Sequence, residues 1–488
     1  MASTKLTLSL VLLLFTSRGL AAEWNLAKSV STGVVYTDNV CLSDGDEQGE
    51  FIGTLTPGFA LSANGNRADF RLAASAVVNT LTDGKLRELN CQRSPAAGGR
   101  KQFAPRLRGA ANLELVENWL YFDSSASIDQ NRANSFEPGG DDEFDRRGNT
   151  NTQYRYALNP YIQHKFGSLA NFSLRYNWDE QVNSVDGVDD SEKERIGLLL
   201  KGLPNTSRLR WGIEGSYNNV SYQRELDELT RESELSRAQL NLGLQLNRQW
   251  LLSGSAGAED NDFVSTGGDI DGGFWSAMIR WTPNSRTVVD IGSGERFFGS
   301  TPKLLVNYSH KRVSLRVNYA KRITFTRDIR ALEEFGDPVA DPFDGSAGGV
   351  GNDTFRSRSP IIDERFTLNL GYQGRVSNFN LTASVSDQLR TADDQDVAIR
   401  GVSASFDRQI ARRIKATADI GWSEWDSRGV ETDVLSSSDQ WRARLGLSRK
   451  LSNVLSLALN YSYTDRQSRR EFQTYTENRI TLSLQLKL

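Results

Sequence analysis

Cysteine and histidine are represented by two residues each in a chain of 488. A zinc centre or covalently attached haem therefore has almost nothing to be built from beyond Cys41, Cys91, His164 and His310. Long apolar runs are equally scarce, and beyond the N-terminal segment no stretch approaches the about 20 residues that a spanning helix requires. Charge of one sign is missing too: 58 Lys and Arg stand against 61 Asp and Glu, for a net charge of −3. A nucleic-acid partner is not indicated by that balance. The mean hydropathy of −0.49 argues against a helical membrane protein. It does not argue against a transmembrane barrel, in which only alternate residues of each strand are apolar.

What is present begins with a secretory signal. Lys5 supplies the positive n-region, Leu6 to Phe15 the apolar h-region, and Gly19-Leu20-Ala21 the small-x-small cleavage site. Cleavage after Ala21 or Ala22 fits equally well, which assigns 1–22 to the signal and 23–488 to one further domain. No cysteine follows the cut, so a lipoprotein anchor is not supported.

The strongest signal is alternation. From Ile480 to Leu488 every second side chain is aliphatic and every one between is polar. A strand with that pattern has one apolar and one wet face. The pattern recurs at Phe172–Asp179, Leu240–Leu246, Val313–Tyr319, Phe366–Tyr372 and Leu455–Tyr463. Tight-turn signals stand at Asn64-Gly65, Glu117-Asn118, Gly167-Ser168, Pro204-Asn205 and Asn247-Arg248. They continue at Pro283-Asn284, His310-Lys311, Ser377-Asn378, Gln409-Ile410 and Ser452-Asn453. Longer charged segments lie between them, among them Asp44–Glu50, Asp141–Arg147, Asp186–Glu194, Glu225–Glu234, Glu259–Asp271 and Asp328–Pro360. Short and long connections in alternation describe an all-β chain, a single large antiparallel transmembrane β-barrel with short periplasmic turns and long extracellular loops. Two strands per tight turn plus one at each end give roughly 22 strands. The least certain connection is Gly294 to Pro302. Trp119, Trp250 and Trp281 border tight turns, while Trp178, Trp275, Trp422, Trp425 and Trp441 lie near long-loop ends, as two aromatic girdles require. The plain alternative is β-propensity alone.

If the aliphatic face meets lipid, the other face lines a pore. That places Arg175, Arg210, Arg280, Arg316, Arg442 and Arg444 inside, with Glu114, Asp179, Glu214, Asp290 and Asp419. An Arg or Lys on the lipid face at mid-membrane would cost about 2–4 kcal/mol. Clustered arginines would suit an acidic polymer; the competing reading is a cross-strand ion-pair lattice that stiffens the wall. Cys41 and Cys91 fall in the first and second outer loops, so a disulfide joining them competes with two unpaired thiols. The first strand signal, near Val30, leaves no room for an N-terminal plug. The lumen is expected to be open or narrowed by an infolded loop. Asp328–Pro360 is the longest candidate for such a loop, against the alternative of a surface loop. His164 and His310 lie beside tight turns without a nucleophile motif, and they read as interfacial polar residues, not as an embedded hydrolase. No catalytic, metal-binding or cofactor-binding set is expected, and the acidic loops lack calcium-loop spacing.

Several segments carry a family resemblance. They are Tyr36-Thr37-Asp38-Asn39-Val40, Thr56-Pro57-Gly58, Trp281-Thr282-Pro283-Asn284, Gly294-Glu295-Arg296-Phe297-Phe298-Gly299 and His310-Lys311-Arg312. Together they resemble the outer-membrane β-barrel family associated with the PEP-CTERM/exosortase system. The resemblance implies a Gram-negative outer membrane and an exopolysaccharide-linked envelope, with polymer export as the job and no catalytic residues to carry over. The expected partners are outer-membrane lipid and lipopolysaccharide, the barrel-assembly machinery, anionic polysaccharide and periplasmic export proteins. The alternative function is a structural or surface-interaction barrel, in adhesion or lipopolysaccharide contact, without transport. Leu488 departs from the aromatic residue that usually ends an assembly signal.

Overall fold

The computed structural model describes residues 23–45, 47–80, 103–133, 137–138, 149–185, 188–203, 208–223, 231–329, 357–428 and 434–488. The signal segment, Cys91, Asp141–Arg147 and the turn at Pro204-Asn205 lie outside them.

Alternation of the kind seen at the C-terminus produces strands throughout. They are β1 (Glu23–Thr37), β2 (Glu50–Asn64), β3 (Ala68–Asn79), β4 (Phe103–Val116), β5 (Leu120–Arg132), β6 (Thr150–Phe166), β7 (Ala170–Asn183) and β8 (Asp190–Gly202). Next come β9 (Leu209–Gln223), β10 (Arg231–Gln245), β11 (Trp250–Asp262), β12 (Gly272–Asn284), β13 (Thr287–Arg296), β14 (Gly299–Ser300), β15 (Lys303–His310) and β16 (Val313–Thr324). The wall ends with β17 (Ile361–Gln373), β18 (Ser377–Arg390), β19 (Asp396–Ala411), β20 (Ile414–Arg428), β21 (Val434–Lys450), β22 (Leu455–Ser468) and β23 (Tyr475–Lys487). Each pairs antiparallel with its chain neighbours, and β1 pairs with β23, so the sheet is a closed barrel. β14 and β15 form one stave: Arg296 faces Gly299 and Gly292 faces Lys303 in the same register. Pro302, with no N–H for the ladder, interrupts the stave. The barrel therefore has 22 staves, and the Gly294–Pro302 connection is a tight hairpin at Phe297-Phe298.

Burial is inverted relative to a water-soluble protein. Leu445, Ile420 and Leu482 are 58%, 52% and 48% exposed, whereas Asp363 and Gln388 are 0% exposed. The apolar side chains look outward, where hydrocarbon covers them, and polar ones are held inside. Trp119, Trp250 and Trp281 lie exposed at the tight-turn end, joined by Trp24 and Trp211, while Trp275 and Trp441 are exposed at the opposite rim. Trp425 is a correction: it is 4% exposed and faces inward. It stands three residues after the outward Trp422, and an odd spacing along a strand changes face.

Three other expectations shift. The turn assigned to Pro283-Asn284 lies at Ser285-Arg286, that assigned to Ser377-Asn378 at Gly374–Val376, and that assigned to Gln409-Ile410 at Arg412-Arg413. In each case the strand ladder runs past the turn-forming residues, because pairing a buried edge outweighs local turn preference. The charged segments are shorter as loops than expected, since β8 includes Glu192 and Glu194 and β11 extends to Asp262. Nor is the inner face polar throughout. Near the outer rim Val35, Ile52, Val77 and Ala104 form one inward apolar cluster, and Ile361, Val397, Ile399 and Trp425 another with Ile329.

The closing seam is held by the residues that follow β1. Thr37 Oγ1 donates to Glu477 Oε1 at 2.7 Å. Asp38 accepts from both the backbone N and Nδ2 of Asn478, each at 2.7 Å. The Asn39 amide, fully buried, donates to the carbonyls of Ser43 and Thr476 at 2.8 Å. The Thr-Asp-Asn motif thus latches the first stave to the last. Asn39→Ala removes this donor from the Ser43 and Thr476 carbonyls and is expected to cost about 0.5–1.5 kcal/mol. In heat-modifiable gel migration the variant should lose its folded band at a lower temperature, and an unchanged transition would refute the latch. Nitroxide labels test the faces: Leu457 should be reached by oxygen in lipid and Ser456 by a water-soluble relaxant, and equal accessibility would contradict the closed wall.

Candidate functional site

With the apolar face outward, the site is the lumen. All eleven expected pore-lining residues lie on the inner face, by register with buried inward neighbours such as Val220, Ser423 and Gln440. Some are paired with an opposite charge and others hydrogen-bond neutral groups. Arg280 makes a two-pronged contact with Asp290, Nε to Oδ1 at 2.6 Å and Nη2 to Oδ2 at 2.8 Å. Arg175 lies 3.6 Å from Asp123 and 4.0 Å over the Tyr161 ring, which stacks on Tyr121. Arg210 donates to Gln245 at 2.6 Å, and Glu214 accepts from Gln239 at 2.7 Å. Glu114 accepts from the backbone N of Asn118 at 2.6 Å, and Asp419 faces Arg444, one place along β21 from the inward Arg442. Arg316 differs. It stands between Asn307 and Asn369 and has no ion-pair partner among the described residues. Cross-strand ion pairs thus recur along the wall, and Arg316, like Arg210 and Arg195, stands outside them.

The roots of the longest connection fold inward. Phe325 packs on Val220 and Tyr222 of β9, and Ile329 on the Trp425 cluster of the opposite wall. Arg327 is 4% exposed and reaches Asp179 of β7, pairing with its carboxylate and donating to its backbone O at 3.2 Å. Asp328 pairs with Lys193 of β8, and Arg358 grips Asp189 through two bonds of 2.8 and 2.9 Å. Burial pulls the Arg327 guanidinium down to about 10, against the raising effect of Asp328, so its charge survives at neutral pH. These anchors sit in the extracellular half, because β7, β9 and β16 all run from tight turns to the outer rim. The two described ends of the connection thus enter the lumen; residues 330–356 lie outside the described residues.

Sequence reasoning missed several of the charges that build this wall. Arg155 lies 2.7 Å from Asp179, Arg296 pairs with the buried Glu259, and Asp363, fully buried, holds Arg322 and Arg365 at 3.5 and 3.3 Å. Strand parity would have found Arg155, Glu259 and Asp363. Nothing local marks Arg327, whose partner is 148 residues away.

His164 stacks on Trp119 at 3.8 Å and meets the edge of Phe166 at 5.0 Å, within the periplasmic aromatic girdle. His310 Nδ1 lies 2.7 Å from Arg286 Nη1. The two histidines belong to strands far apart around the wall. Cys41 is 3% exposed and disulfide-bonded. Among the described residues no group of three potential ligands could hold a metal ion.

Asp179 joins Arg155 and Arg327, all three nearly buried, so Asp179→Ala would remove the carboxylate that the two guanidinium groups share. The expected loss is about 3–5 kcal/mol. Urea unfolding of the refolded barrel in lipid measures it, and a change below about 1 kcal/mol would show that the triad does not hold the loop root.

No family model matches the chain, and no curated protein is detectably similar in sequence. Solved structures do match in fold. The siderophore receptor PirA from Acinetobacter baumannii aligns over 97% of this chain and 81% of its own, with 9% identity and a TM-score of 0.53. The ferric enterobactin receptor PfeA from Pseudomonas aeruginosa aligns over 95% and 82%, with 10% identity and a TM-score of 0.50. At such identities the likeness is one of architecture: this chain has the fold of large outer-membrane receptor barrels.

Proposed function

We propose that the protein is a pore-forming barrel of the Gram-negative outer membrane that passes exopolysaccharide or serves its export machinery. One observation supports the pore. The inner wall below the Arg327–Asp179 contact carries many polar side chains, interrupted by inward Leu199, Leu251 and Leu305, and a 22-staved wall encloses a wide space. The sequence resemblance to PEP-CTERM/exosortase-associated barrels supports the polymer. So does the inner face itself, rich in Asn, Ser, Thr and Arg, which offers hydrogen bonds to hydroxyl groups. The receptors that share the fold are transport proteins, which favours passage over chemistry. Insertion would use the barrel-assembly machinery, and the periplasmic mouth would receive polymer from export proteins.

A second reading rests on the outer rim. Glu192 and Glu194 face outward beside the girdle, bonded to Trp178 Nε1 at 2.5 Å and Tyr176 Oη at 2.9 Å. Arg400 and Glu424 pair there at 2.9 Å. Such a collar could engage lipopolysaccharide through divalent ions and serve a surface-interaction role without transport.

Planar-bilayer recordings of the refolded chain distinguish the two. Discrete conductance steps are expected, larger in Arg327→Ala, which releases the described loop root from Asp179. Silence in both forms would eliminate the pore and leave the rim reading. Deleting the gene should lower secreted polysaccharide, and unchanged secretion would eliminate the polymer.

A further inference from the structure

The inner wall formed by β15, β16, β17 and β18 holds a recess of about 740 Å³ in its periplasmic half. That volume falls within the range of about 300–1,000 Å³ typical of small-molecule sites. Register builds it. Asn307, Arg316, Asn369 and Thr382 face one another in a single row across the four strands. Strand spacing sets neighbours in such a row about 4.8 Å apart. One step nearer the periplasm, Ser314 and Asn380 flank Gly371. A Cβ at Gly371 would come within 2.7 Å of Ser314 Oγ, so the glycine keeps the floor of the recess open. Thr382 Oγ1 donates to Asn369 Oδ1 at 3.1 Å, which fixes the amide and turns its Nδ2 donor away from the threonine.

The chemistry of this recess is set by what surrounds its arginine. Several inward arginines meet a carboxylate, as Arg280 meets Asp290 and Arg175 meets Asp123, whereas Arg316, like Arg195 between Asn177 and Asn218, faces amides. Here the Arg316 guanidinium, exposed to the lumen, has neutral amides on both neighbouring strands and no carboxylate opposite it, while the second guanidinium of the recess, Arg286, lies against His310. Asn307, Asn369 and Asn380 line the same volume with Ser314, Thr382 and Arg316. A planar fork of donors suits a carboxylate, taken through two parallel bonds. Amides that both donate and accept suit the hydroxyls of a sugar ring.

We propose that this recess is a binding subsite for a uronic-acid unit of a saccharide entering from the periplasm, with Arg316 on the carboxylate and Asn307, Asn369 and Asn380 on ring hydroxyls. The inference rests on the polysaccharide reading above and narrows it to an acidic polymer. Its place, three residues into β16 from a tight turn, is where a chain arriving at the periplasmic mouth first meets the wall.

Calorimetric titration of the full refolded chain with trigalacturonate, maltotriose and inorganic phosphate tests it. Trigalacturonate should bind about tenfold or more tightly than maltotriose, the worth of one charge-assisted pair. Arg316→Gln should remove that preference, and Arg316→Lys should restore part of it; heat-modifiable migration confirms that each variant is closed. No binding of trigalacturonate by the wild-type chain, or an undiminished preference in Arg316→Gln, would overturn the subsite. Phosphate competing as well as trigalacturonate would show that charge alone is read, and would overturn the saccharide assignment. The pore reading fails by a different result, the absence of conductance, which leaves the titration interpretable on its own.

Discussion

A sheet that crosses hydrocarbon finds no water to complete its edges, so each backbone N–H and C=O must be met by the next strand. Every other feature of this protein follows from that demand. The first stave has to reach the last, and nine residue pairs between Ser29–Thr37 and Arg479–Lys487 do so. Where the ladder ends at the outer rim, Thr37, Asp38 and Asn39 continue it with side chains. At the periplasmic end Leu488 donates to the Lys28 carbonyl at 2.8 Å. A short polar motif of plain composition is thereby the clasp of the whole barrel.

Closure also decides where charge goes. Once the aliphatic face is committed to lipid, the alternate face must hold the arginines and carboxylates in a confined space. Paired across strands, as in Arg280–Asp290 and Arg155–Asp179, they lose less solvation than they would alone. The roots of the longest connection join the same scheme, since Arg327 sets a second guanidinium on Asp179 beside Arg155. Apolar patches under those roots, around Val220 and Trp425, supply ordinary hydrophobic packing inside a water-facing wall. Arg316 stands outside this pairing scheme, in a field of neutral amides, which is why the wall beside it reads as a place for something that arrives.

Much of this was legible from residues alone. Parity along each strand assigns faces without a structure, and it places the eleven residues from Glu114 to Arg444 on the inward side. Trp425 was misassigned because its nearness to a long loop was weighed above its odd distance from Trp422. The turns near Pro283, Ser377 and Gln409 moved by a few residues, because pairing between strands continues past a local turn preference. Arg327 was invisible, being a loop residue whose carboxylate lies on a strand far off in sequence.

Side-chain alternation and the spacing of turns were enough to determine the class of fold, the number of staves and which face meets lipid, since these depend on period-two geometry within single strands. Tertiary structure alone decided the latch of Asp38 and Asn39 on Asn478 and Thr476, the inward fold of the Phe325–Ile329 root and the recess at Arg316. Each of those depends on which strands stand side by side or face one another across the lumen, and closure of the barrel brings together residues that no local pattern connects.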